Sequence, residues 1–274
     1  MKHNLLISVA AVAVAAGAMM GLSSTSAAQT PPMSGGYTNV IAIPVDDPAK
    51  NIAGALFKPD GAGPFPAVIY LGGCAPIGAA DEAALEKAVV DHNRSKGFAT
   101  LIVDSFAPRH LDHGVCDREH SPVWYGVRAA DAHAAKDSLA AMPDIDAERI
   151  FLVGYNHGGQ AALLAVDGST AATHRAKFAG VVAYYPYCGF VCGCAVSVPT
   201  LIMVGDEDDL APADRCRTLK DKPNVQVVIY PGAGHAFTTP GIDKVQNGHR
   251  LLYDAKAAAD AQARADAFIA THMK

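Results

Sequence analysis

Ile150-Phe-Leu-Val-Gly-Tyr-Asn-His-Gly-Gly-Gln160 decides how the rest of this chain is read. Residues 150–153 are continuously apolar, which predicts a strand buried on both faces. Gly154 and Gly158 frame a sharp turn, and residues 159–166 predict a helix. With serine at its centre, this G-x-S-x-G strand–turn–helix lifts a nucleophilic hydroxyl over the end of a sheet. Here the central residue is Asn156. A carboxamide has neither hydroxyl nor thiol with which to attack a carbonyl. Asparagine does tolerate the positive φ of such a turn better than most non-glycine residues, so it can preserve the turn without the chemistry.

Outward from this turn, short apolar runs alternate with helical patterns, as in a parallel sheet built from crossover units. Strands are predicted at 39–44, 53–57, 67–71, 100–103, 150–153, 180–185, 200–204 and 225–230, and helices at 80–96, 124–142, 159–166, 212–220 and 246–272. The first two strands carry polar residues and lie close together, which suits an antiparallel edge hairpin. Asp144-Ile145-Asp146 reads as a polar turn, and the alanine-rich stretch 255–270 as a terminal packing helix. The fold class is therefore α/β: a mostly parallel central sheet of about eight strands with helices on both faces.

Three strand ends carry candidate chemistry, in the chain order nucleophile, acid, histidine of an α/β-hydrolase. They are Asn156, the acidic loop Gly205-Asp-Glu-Asp-Asp-Leu-Ala-Pro212, and His235 in Pro231-Gly-Ala-Gly-His-Ala-Phe237. Within the acidic loop Asp208 is expected to orient the histidine and Asp209 to cap the helix that starts near Pro212. An oxyanion hole requires two backbone N–H groups. The amides of His157, just past the turn, and of Cys74, in Leu71-Gly-Gly-Cys74, are expected to supply them.

Arg109 is a candidate contact to a substrate carboxylate or to a structural anion. Trp124, Tyr125, Tyr187 and Phe237 are candidates to line a pocket. His110, His113, Cys116 and His120 could suggest zinc, but the loop lacks a second ligand pair at finger spacing and Cys116 has a competing disulfide role; no metal is assigned.

Together these segments make the chain resemble the dienelactone hydrolase family of α/β-hydrolases. The likeness runs from about Pro59 to His272. It is carried by P-F-P-A-V-I-Y-L-G-G-C from Pro64, G-F-A-T-L-I-V-D-S-F-A-P-R from Gly97, the Asn156 turn, Y-Y-P-Y-C-G from Tyr184, and the acid and histidine loops. The resemblance implies cleavage of esters or lactones without metal or organic cofactor, with a small-molecule substrate and with Asn156, Asp208 and His235 at the triad positions. The asparagine implies weak or lost turnover, the alternative being a ligand-binding pseudoenzyme of the same fold.

Compartment and partners follow from composition. Lys2 and His3 precede an apolar run over 5–22, and Ser26-Ala27-Ala28 offers a signal-peptidase site, so residues 1–28 read as a signal peptide and the protein as periplasmic or secreted. Removing 28 of 274 residues leaves 246, enough for a single α/β domain over 29–274. A net charge of −5 and the lack of a basic cluster argue against nucleic acid, and no further long apolar stretch suggests a membrane span. Six cysteines in an oxidising compartment suggest disulfides. Cys74–Cys116 and Cys188–Cys216 are the preferred pairs, with Cys192 and Cys194 left over.

Overall fold

The computed structural model describes residue 1 and residues 30–45, 51–118, 122–168, 177–191 and 196–273. Residues 2–28 of the expected signal peptide, His120, Cys192 and Cys194 lie outside this set.

The chain order is β1 (Val40–Ile43), β2 (Ile52–Phe57), β3 (Phe65–Leu71), α1 (Ala83–Ser95), β4 (Ala99–Asp104), α2 (Pro122–Ala140), β5 (Ile145–Tyr155), α3 (His157–Val166), β6 (Gly180–Tyr184), β7 (Thr200–Gly205), α4 (Ala213–Arg217), β8 (Val225–Tyr230), β9 (Asp243–Gln246), β10 (His249–Leu252) and α5 (Ala255–Thr271). One sheet takes the order β1-β2-β4-β3-β5-β6-β7-β8. The edge pair β1–β2 is antiparallel, and β2 meets β4 antiparallel. From β4 to β8 every pairing is parallel. The predicted fold class and edge hairpin are thus observed.

Side chains on a strand alternate faces, so each central strand feeds two cores. Ala67, Ile69 and Leu71 of β3 and Ile150 and Leu152 of β5 join a cluster under α2 and α3. Val68, Tyr70, Phe151 and Val153 point the other way, to Leu85 and Val89 of α1 and to Ala257, Ala261, Ala265 and Phe268 of α5. Full burial on both faces is why these strands show no polar alternation in the sequence.

Two local expectations are corrected. Asp144 stands outside β5, which already begins at Ile145, so the polar turn is shorter than expected. The helix expected over 246–272 starts only at Ala255, where the Asp254 carboxylate accepts from the N–H groups of Lys256 and Ala257 at 2.9 Å each. Ahead of it β9 and β10 form a hairpin turning at Asn247-Gly248, with φ 52° and 89°. Asn-Gly is the preferred pair for a two-residue hairpin turn because both residues must take positive φ.

Two disulfides join the expected pairs. Cys74–Cys116 ties the β3 end to the loop after β4. Cys188–Cys216 ties the loop after β6 to α4.

Candidate active site

The turn after β5 takes the strained form its sequence suggests. Asn156 has φ 51° and ψ −118°, and α3 starts at the next residue. The helix start presses on the end of β3: a Cβ at Gly158 would lie 2.1 Å from the Leu71 carbonyl oxygen. Any side chain there would push apart the two segments that carry the expected oxyanion donors.

The acid and histidine loops meet by a similar close approach. A Cβ at Gly205, where β7 ends, would lie 2.0 Å from the Ala233 carbonyl oxygen. Asp208 then faces His235, with Oδ2 2.7 Å from Nδ1. Asp208 Oδ1 accepts from the N–H groups of Leu210 at 3.1 Å and Ala211 at 2.7 Å. Both side chains are buried. The expected helix cap by Asp209 is not formed: α4 has no side-chain cap, and Asp209 lies 3.2 Å from His249 instead.

His235 Nε2 lies 2.6 Å from Asn156 Nδ2. With Nδ1–H directed at Asp208, Nε2 carries the lone pair and accepts from the amide N–H. The other end of the carboxamide, Oδ1, accepts from the His157 backbone N–H. Asn156 therefore bridges the imidazole and one expected oxyanion donor. Three side chains from three distant strand ends are brought together in one line of hydrogen bonds.

A cavity of about 50 Å³ opens beside this line, with Cys74, Glu82, Asn156, Tyr185, His235 and Lys244 in its wall. Glu82 and Tyr185 were not singled out as site residues by sequence reasoning, and no local motif marks Glu82. Tyr185, inside the quoted Y-Y-P-Y-C-G segment, sets its ring edge against His235 at 5.0 Å between centroids. Lys244, on the unanticipated hairpin, pairs with Asp81, two residues ahead of α1.

Glu82 is the most perturbed acid of the cavity. Burial foremost, then the charge of Glu86, push its carboxyl from 4.5 up to about 7, against the opposing pull of Arg128 and His235. The folded state thus holds this proton between the two values while the unfolded chain releases it. Stability conferred by Glu82 is complete below pH 4.5 and is lost as pH rises through about 7, by about 2 kcal/mol once solvent at the cavity mouth is allowed for. Thermal melts from pH 5 to pH 8 should show this decline, and Glu82→Gln should flatten it. An unchanged slope in the variant would remove Glu82 as its source.

Arg109, Trp124 and Tyr187, expected to bind substrate, have other partners in the described structure. The Arg109 guanidinium bonds both oxygens of Asp131, at 2.7 and 2.8 Å, and the Ser105 carbonyl at 2.7 Å. Its structural-anion reading is the one observed. Trp124 packs in a small cluster with Cys74, Phe106 and Val115. Tyr187 sits 5.7 Å from the Phe190 ring. None of the three is in the wall of the cavity at His235. Phe237 is core. Cys116 is committed to its disulfide, and among the described residues no three His, Cys, Asp or Glu side chains gather as a metal site. Since the Arg109–Asp131 pair is nearly buried, Arg109→Ala should destabilise the fold by about 3 kcal/mol in urea titrations. It should leave the KM of any ester substrate within about twofold.

The dienelactone hydrolase family model matches residues 52–273. No curated protein matches the chain by sequence. Among solved structures, a dienelactone hydrolase from Anabaena variabilis shares 22% identity at a TM-score of 0.63, covering 89% of this chain and 100% of that one. Esterase 2 of Thermogutta terrifontis, bound to propionate, shares 16% at 0.61, with coverage of 89% and 95%. A promiscuous dienelactone hydrolase-like phosphotriesterase from metagenomic libraries shares 20% at 0.61, with coverage of 86% and 98%. At these identities the structural matches speak for the fold.

Proposed function

Because this chain belongs to the dienelactone hydrolase family, we propose that it is an exported protein of ester- and lactone-hydrolase type whose turnover is weak or absent because Asn156 occupies the nucleophile position. The observation that carries this reading is the unbroken line from Asp208 through His235 to Asn156, at 2.7 and 2.6 Å. In it Asp208 orients the imidazole, His235 is the general base, and the amides of His157 and Cys74 are the oxyanion donors. The amide nitrogen of Asn156 has its lone pair delocalised into its own carbonyl and does not attack an ester. Its carbonyl oxygen also takes the His157 N–H that a substrate oxyanion would need.

The same bridge supports the second reading, a ligand-binding protein that retains the pocket without chemistry. A water activated directly by His235 is disfavoured in this arrangement, since the lone pair of Nε2 is already engaged by the carboxamide.

Cavity size and charge narrow the substrate class. About 50 Å³ is room for a few water-sized groups, which suits a short acyl group. Among the described wall residues, Lys244 is paired with Asp81, while Glu82 presents an acid. A short, uncharged acyl ester fits this wall better than a carboxylate-bearing lactone. Export fits the two disulfides, and among the described residues no helix is long and apolar enough to cross a membrane.

The test is hydrolysis of p-nitrophenyl acetate by the protein and by Asn156→Ser. A large gain on serine supports a disabled hydrolase. Silence in both supports the binding reading, and equal rates abolished by His235→Ala would support water activation.

A further inference from the structure

Arg128 lies beneath the site, buried and outside the cavity wall. Its Nη1 donates to the Gly73 carbonyl at 2.9 Å and its Nη2 to the Gly72 carbonyl at 2.8 Å. Nη1 also lies 3.1 Å from His157 Nδ1, which must be an acceptor because a guanidinium offers only hydrogens. Phe106 covers one guanidinium face, 4.9 Å from its ring centre. One planar group thus grips both segments that meet over the reaction centre, the β3 end and the start of α3.

Peptide geometry turns these contacts into a consequence for the cleft. A trans peptide is planar, with its C=O and the following N–H pointing in opposite directions. Fixing the Gly73 oxygen on Arg128 therefore aims the Cys74 N–H away from Arg128. The Gly72 oxygen does the same for the Gly73 N–H. Glycine at 72 and 73 leaves these planes free to turn, so an anchor is needed to hold one orientation. The contact at the His157 ring fixes the residue whose own N–H is the other donor.

From this geometry we infer that Arg128 is the positioning residue of the oxyanion hole, holding the Gly73–Cys74 peptide and His157 so that their N–H groups converge on one point. It touches no reacting atom. The kinetic part of this inference rests on the hydrolase reading of the site; the structural part does not. A guanidinium is required because a lysine ammonium, a point charge on a flexible stem, does not present two parallel N–H groups in a fixed plane. Burial lowers the Arg128 pKa to about 10, which leaves the group charged at neutral pH.

Arg128→Lys tests this, since it keeps a charge and most of the volume. Two measurements are made: a crystal structure of Arg128→Lys with Asn156 retained, and steady-state kinetics of Arg128→Lys combined with Asn156→Ser. The expected structure has the Gly73–Cys74 peptide rotated from its present orientation while the Asp208–His235 contact is unchanged. The expected kinetics are a fall in kcat of about 100-fold relative to Asn156→Ser, with KM within about twofold and the same pH midpoint for kcat. A peptide that keeps its orientation overturns the inference whatever the rates are. If Asn156→Ser alone is inactive, the hydrolase reading fails, and the crystal structure still decides the role of Arg128. Should Arg128→Lys not fold, Arg128→Gln, which retains a planar amide donor, replaces it in both measurements.

Discussion

Asn156→Ser is expected to raise kcat for p-nitrophenyl acetate by about 10⁴-fold or more. Deleting the serine of such a triad costs about a millionfold, while an oxyanion hole and substrate binding alone leave about 10³–10⁴ over water. The two contacts that lead to the nucleophile position are present here: Asp208 is on His235 at 2.7 Å, and His235 Nε2 faces position 156 at 2.6 Å. Serine is one bond shorter than asparagine and would direct an O–H toward the imidazole in place of the amide N–H. It would also release the His157 N–H from the Asn156 carbonyl, returning a donor to the substrate. Both changes act on the same step, so the gain should lie in kcat more than in KM. A gain below about tenfold, with the variant folded, would leave the binding reading as the better account. Intact mass of the unaltered protein over the assay shows whether position 156 stays an amide.

Removing the Cys74–Cys116 disulfide, as Cys74→Ala with Cys116→Ala, should cost about 4 kcal/mol. The bridge closes a separation of 42 residues, and cross-linking a loop of that length removes chain entropy of that order from the unfolded state. That is a large share of the about 5–15 kcal/mol by which most domains are stable. Urea unfolding of the double variant measures it, and a loss under about 1 kcal/mol would show that the loop is held by other contacts. The site should respond as well. Cys74 follows the Gly73 carbonyl held by Arg128, and its own carbonyl accepts from Val115 at 2.8 Å. With the bridge gone, that anchor and the Val115 contact remain to hold the Cys74 peptide. In an Asn156→Ser background, kcat should therefore fall further than KM changes.

Much of this was legible from short stretches. A strand buried on both faces must be continuously apolar, so β3, β4, the second half of β5, β6 and β7 announce themselves without knowledge of their neighbours, while the edge strand β8 shows an exposed Gln226. The turn at Asn156 is local in part: Gly154 answers to the Gly158 carbonyl within the turn, whereas Gly158 answers to the Leu71 and Gly72 carbonyls of the β3 end. Asp208 and His235 could be chosen because parallel strands all end on one side of the sheet, so chain order alone puts their loops at a common rim. The hairpin at Asn247-Gly248 was legible in its turn residues, yet the alanine-rich pattern beyond it drew the helix nine residues too early.

Partner choice was not legible. Arg109 and Arg128 are the same residue type, and nothing near either says which one grips Asp131 and which one lies under Gly72 and Gly73. That is settled by the phase of α2 against β3 and by the crossing of the chain that puts β4 outside β3. Glu82 is read locally as part of a helix start, and only the approach of β3, β5 and the β9–β10 hairpin makes it a half-buried acid at the cavity. The layered α/β scaffold, the turn at residue 156 and the order of the groups along the sheet rim can be read from the chain, because each depends on burial or backbone strain within a few residues. Which charges pair, what the carboxamide of Asn156 touches and which arginine lies under Gly72 and Gly73 come from the packing of distant segments, whose separation in the chain leaves no local trace.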